Sequence, residues 1–233
     1  MTVSRHPAGA RPSTSAAGRV TRHSLSFGPY YDPDNVVFGG LMAHNDDLLE
    51  PGAGYPDHPH ADVEIVTWVL AGVLAHRDSG GGAADLTPGT VQVQSAGAGI
   101  RHSEVADRSA GPTRFVQAWV RPDEPGGQPR RGVAPVDPAP GSGWVPLASG
   151  ARPAALGLGA AGATLWAARL AAGEEAALPV EARQHVFVAS GGLILPAASM
   201  SAGPGDAVRL TDEPGHLVVA TSATELLVWG FAR

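Results

Sequence analysis

Residues 58–64 read HPHADVE, and GIRHSE follows at 99–104. On an extended strand, side chains two residues apart share a face. His58 and His60 therefore project together, and so do His102 and Glu104. Two facing strands that carried these pairs would bring three imidazoles and a carboxylate to one point. That donor set suits a first-row divalent transition ion. Four protein ligands on an octahedral ion would leave two positions open for water, dioxygen or a bidentate substrate. Glu64 shares the face of both histidines if 58–64 is one regular strand. It is then an alternative to Glu104 as fourth ligand, or an outer partner that orients an imidazole.

The elements that must hold these residues are read as strands. The chain has 31 glycines and 21 prolines, which disfavours long helices. Short alternating apolar runs stand between turn residues, as in an all-β protein. Candidate strands are 63–70, 89–96 and 114–121, then 164–170, 185–190, 206–210, 216–221 and 225–231. Pro59 lacks an N–H, so its strand is an edge or a strand start. Gly97 and Gly99 permit a tight turn before His102. Between the two sets of strands, 122–150 is rich in Pro and Gly and reads as a linker.

The halves resemble each other: TWVLAGVL then LTPGTVQV in the first, VFVASGGL then SAGPGDAVRL in the second. This favours two related barrels. The predicted organisation is a flexible tail at 1–20, a metal-binding barrel at 21–121, the linker at 122–150 and a second barrel at 151–233. In the second, Ala177 to Val180 stand where His58 and His60 stand in the first, so the scaffold is kept without the ligands.

Composition removes several function classes. Cysteine is absent, which excludes disulfides, thiolate nucleophiles and thiolate metal sites. All sixteen cationic side chains are arginine, so Schiff-base and P-loop lysine chemistry are excluded too. A net charge of −6 without a basic block argues against direct nucleic-acid binding. No apolar run is long enough for a membrane helix. Residues 1–20 lack the apolar middle of a signal peptide, and a cytoplasmic location is the expectation.

Several motifs resemble the cupin superfamily and, within it, the pirin family. They are SFGPYYDPDNVVFGG (26–40), NDD (45–47), GAGYPDHPH (52–60), EIVTWVLAGVLAHRDS (64–79) and SAGAGIRHSE (95–104). The resemblance is sharp from about residue 23 to residue 121, and holds only in outline in the second half. It implies an all-β bicupin of two tandem jelly-roll barrels, with metal in the first alone. It implies His58, His60, His102 and Glu104 as the ligands, and so favours Glu104 over Glu64. The implied cofactor is one divalent metal, Fe(II) first, with Cu, Ni, Mn, Co or Zn as alternatives. The implied activity is that of a quercetin 2,3-dioxygenase, acting on a phenolic flavonol and dioxygen, with Glu104 taking the hydroxyl proton. The rival reading is a non-enzymatic, metal-dependent redox regulator that binds a protein partner. Family members often carry Arg or Lys just after HPH, where this chain has Ala61.

Other signals carry weaker expectations. GLGAAG (157–162) satisfies a dinucleotide-binding pattern but lacks the strand–helix context. Asp46 and Asp47 read as turn caps, His44 as a pocket or surface residue, and His76 as a strand end. His185 and His216 read as isolated packing residues. Trp68 and Trp119 read as barrel packing.

Overall fold

The computed structural model describes residues 2–213 and 215–233. Among the described residues strands dominate, and the helical elements are three short 3-10 turns at Ala8–Ala10, Pro33–Asn35 and Pro196–Ala198. Among the described residues no helix is long and apolar enough to cross a membrane. The chain divides into two compact units, each a jelly-roll-type pair of antiparallel sheets.

One unit comprises Pro12–Val136 and Ala155–Ala161. Its larger sheet runs, in order, Arg130–Pro135, Thr90–Ser95, Glu64–Ala71, Thr113–Val120, Leu41–Leu49, Arg19–His23 and Ser13–Ala16. Its smaller sheet runs Gly54–His60, Ile100–Ala106, Leu74–Asp78 and Ala83–Leu86. Leu49, Val69 and Phe115 from the large sheet pack against Leu74, Leu86 and Ala106 from the small one. This apolar layer closes one end of the space between the sheets. Phe115 is wholly buried at its centre. Phe115→Ala should therefore cost about 3–5 kcal/mol, as large-to-small core changes do. Urea unfolding should show a lower midpoint with an unchanged slope.

The other unit comprises the residues up to Arg11, Asp137–Ala154 and Gly162–Arg233. Its apolar core includes Leu170, Leu178, Val186, Val188, Val218, Ala220 and Val228.

Two expectations about organisation are corrected. Over its described residues, the expected flexible tail at 1–20 is ordered. Thr2–His6 pairs antiparallel with Ala207–Thr211, and Arg5 holds Asp206 through Nε and Nη2 at 3.1 and 2.8 Å. Ser13–Ala16 pairs with Arg19–His23. These strands are short and polar, and they owe their order to distant edges rather than to any apolar pattern of their own. The stretch 122–150 is likewise not all linker. Arg130–Pro135 is an edge strand on Thr90–Ser95, and Val145–Ser149 pairs with Ala163–Leu170. Pro135 is tolerated because its edge strand leaves one row of N–H groups outside the ladder, and Pro146 stands at a register shift in its pairing.

Candidate metal centre

The strands Gly54–His60 and Ile100–Ala106 are hydrogen-bonded neighbours in the small sheet. Their register sets His102 opposite His58 and Ile100 opposite His60, with a shift between His102 and Glu104. Gly54–His60 is the edge strand of its sheet, so the missing N–H of Pro59 costs no ladder bond. Two glycines are sterically required. A Cβ on Gly54 would lie 2.1 Å from the carbonyl oxygen of Glu104. Gly97, at φ +51°, has the carbonyl oxygen of Gly127 equally close to where a Cβ would stand. Both glycines let backbone approach backbone around the site.

The three histidines converge. Ring centroids are 4.8 Å apart for His58–His60, 4.5 Å for His58–His102 and 4.8 Å for His60–His102. The Nε2 atoms of His58 and His102 are 3.0 Å apart. Two imidazole nitrogens about 2.1 Å from one ion, at right angles, would be about 3.0 Å apart. His58 Nδ1 lies 2.7 Å from the carbonyl oxygen of Pro56. Nδ1–H donation there leaves the Nε2 lone pair facing inward, a common arrangement for a ligating histidine. His60 Nε2 is buried without a hydrogen-bonding partner, as a nitrogen reserved for an ion would be.

Glu104 is fully buried, with Oε2 4.0 Å from His102 Nε2. Its carboxylate accepts from Gln117 Nε2 at 3.0 and 2.9 Å. Ligand atoms of His58, His60 and His102 all lie within 4.8 Å of one another, and so do those of His76, His102 and Glu104. His102 thus belongs to both groups, and Glu104 lies on the inner side of the histidine trio.

Electrostatics suit metal capture. Burial, reinforced by His58, lowers the His60 pKa to about 4. Burial, then His58, His60 and His76, lowers that of His102 to about 3. Both imidazoles are therefore neutral at pH 7, as ligands must be. Burial raises the Glu104 pKa to about 7, opposed by the Gln117 hydrogen bond and reinforced by Asp47.

Other residues lie elsewhere than expected. Glu64 is not in the cluster. Its Oε2 accepts from Ser95 Oγ at 2.8 Å and from Gly159 N at 3.1 Å. Asp62 between the two strands adopts φ +52°, so 58–64 is not one regular strand and the shared-face argument fails for Glu64. Asp46 and Asp47 sit mid-strand, not at a turn. Asp46 takes two hydrogen bonds from Arg114 at 2.9 and 3.0 Å. Asp47 points inward and accepts from Thr21 and Tyr55 at 2.5 and 2.6 Å. His44 pairs across from Ala118, out of phase with Gln117 and Trp119, so it faces away from the cluster and meets Ser24.

His76 was the residue that sequence reasoning missed as part of the site. It is completely buried, 5.2 Å from His102 ring to ring. Gln92 Nε2 donates to its Nδ1 at 3.2 Å, and its Nε2 faces Asp78 Oδ2 at 3.4 Å. Its nitrogens are thus engaged, unlike that of His60. The available signal was the spacing of His76 and Asp78, two apart on one strand. Trp119 is a second addition: its indole stands 5.0 Å from the His60 ring, nearly perpendicular.

A cavity of about 430 Å³ opens beside His60, walled by Pro59, Ala61, Ser79, Gly99, Ile100 and Arg101. Among the described residues both metal-capable clusters fall in this unit. In the other unit Leu178, Val218 and Ala220 form apolar core instead.

The pirin family model matches residues 6–120. A protein of Mycobacterium tuberculosis named "Putative quercetin 2,3-dioxygenase" is 43% identical over 231 residues, 98% of this chain and 94% of that protein. The chain belongs to the pirin family. The crystal structure of a bacterial pirin from Escherichia coli in complex with nickel(II) superimposes with a TM-score of 0.91 at 30% identity, covering 99% of each chain. A quercetin 2,3-dioxygenase from Acinetobacter baumannii shares the fold, with a TM-score of 0.77 at 19% identity over 99% of this pirin and 79% of that chain.

Proposed function

We propose that this pirin is a metal-dependent dioxygenase that acts on a flavonol such as quercetin. His58, His60, His102 and Glu104 would hold the ion, with Fe(II) the first choice and Ni, Cu, Mn, Co or Zn able to fill the same donor set. The observation that carries this reading is the convergence of three imidazoles beside an open cavity. A purely structural ion would need no such access. Similar proteins support it: the bacterial pirin of E. coli is in complex with nickel(II), and the M. tuberculosis relative is named "Putative quercetin 2,3-dioxygenase".

When bound, the ion supplies Lewis acidity and a template for oxygen donors. The chain's own residues do the rest. Pro59, Ala61 and Ile100 offer apolar walls to a planar ring. Pro56 fixes the orientation of His58. Glu104, the carboxylate of the donor set, is the residue we assign to hold the proton released by a flavonol hydroxyl. Aerobic incubation with quercetin, after loading separately with each metal, should bleach the flavonol absorbance with at least one of them. No bleaching with any of them sinks the reading.

The rival reading, a metal-dependent regulator that binds a protein partner, is favoured by one feature. Tyr31 and Val37 are 76% and 51% exposed in the segment whose Phe27 packs 5.3 Å from Trp119. Absence of turnover would shift the balance to it.

A further inference from the structure

Gln117 is nine-tenths buried on the strand Thr113–Val120 of the large sheet. Its side chain crosses the core to Glu104 on the small sheet. Each polar atom of its amide is used. Nε2 donates to both oxygens of Glu104 at 3.0 and 2.9 Å and to Thr67 Oγ1 at 3.2 Å. Oε1 accepts from the indole N–H of Trp119 at 3.3 Å. The reversed amide would set its oxygen against the Glu104 carboxylate and its NH₂ against an indole donor, so the orientation is determined by its neighbours.

A donor nearly equidistant from two carboxylate oxygens lies close to the line that bisects them. Gln117 therefore occupies the side of Glu104 from which both oxygens could grip one ion. Oε2 is also the oxygen nearer the histidines, 4.0 Å from His102 Nε2. The Trp119 indole that anchors the amide also stands against the His60 ring, so one residue braces components from both neighbouring strands of the small sheet.

We propose that Gln117 is a positioning residue for the metal centre, holding Glu104 so that it presents a single oxygen to the ion, with Trp119 fixing the amide that does so. The inference rests on the metal reading given above. Single-oxygen ligation leaves one more position open to substrate than two-oxygen ligation would.

The test is Co(II) titration of the full chain, followed by calorimetry and by the visible absorption of the Co(II) protein. Gln117→Met keeps the length and removes the amide. It should weaken Co(II) binding about 10–100-fold, the usual consequence of losing an outer partner of a ligand, and should change the visible band. A structural role alone would lower the thermal midpoint and leave the band as in wild type. If Gln117→Met does not fold, Trp119→Phe serves, since it keeps a ring against His60 and removes only the anchoring N–H. Its affinity should fall and its band should change in the same sense. Wild-type affinity and spectrum in the folded variant overturn the proposal. Failure of the wild-type protein to bind Co(II) at all would take down the metal reading itself, and this inference with it.

Discussion

His102→Ala should abolish tight metal uptake. Wild-type protein dialysed against Ni(II) or Fe(II) is expected to retain about one ion per chain, and the variant none. The reason is position. His102 is common to both clusters, faces His58 at 3.0 Å, and is almost wholly buried. Removing an outer partner of a ligand typically costs about 10–100-fold in affinity, so losing a central ligand should exceed that range. His58→Ala should weaken binding in the same way. Stability offers an independent readout, because an ion that binds only the folded state stabilises it. At a free concentration about 1,000 times Kd the gain is about 4 kcal/mol, visible as a rise in the thermal midpoint. That rise should vanish in His102→Ala and persist in His216→Ala, whose histidine lies in the other unit. Wild-type retention of metal by His102→Ala would remove the basis for the proposed centre.

The strand content was legible because apolar alternation is local. Runs such as 63–70 and 114–121 became Glu64–Ala71 and Thr113–Val120 with ends shifted by a residue. The pairs His58/His60 and His102/Glu104 were legible for the same reason, since a two-residue period needs no knowledge of tertiary structure. What escaped depends on distant partners. His76 reads as a strand end until its neighbour strand sets it beside Glu104 in the register. Gln117 looks like an ordinary polar residue until the opposite sheet places a carboxylate on its amide. Glu64 looked like a ligand because regular geometry was assumed through Asp62, and one left-handed residue undid the phase. Thr2–His6 looked like coil because a polar edge strand is defined by what it pairs with.

Glu104→Gln should make the metal-free protein more stable at pH 8 and poorer at binding metal. Burial lifts the folded-state pKa of Glu104 from 4.5 to about 7. The unfolded chain therefore gives up this proton at lower pH than the folded one. Below about pH 4 both states carry it and the carboxyl costs nothing. As pH rises through the window from 4.5 to about 7, the folded protein loses stability, and the loss is complete above it. A shift of that size corresponds to about 3 kcal/mol at 1.36 kcal/mol per unit. Glutamine keeps the shape, can accept from Gln117, and carries no charge to desolvate. Metal-free Glu104→Gln should thus match wild type at pH 4 and exceed it by up to about 3 kcal/mol at pH 8 in urea unfolding. Equal stability at both pH values would mean that the buried carboxylate is not costly as held. The metal titration should move the opposite way, with weaker binding at pH 8, because an amide oxygen is a poorer ligand than a carboxylate for a divalent ion. A site evolved for stability alone would not keep an ionisable group there. A carboxylate that destabilises the empty fold and strengthens the occupied one is what a metal centre requires, and the two titrations together separate that role from simple packing.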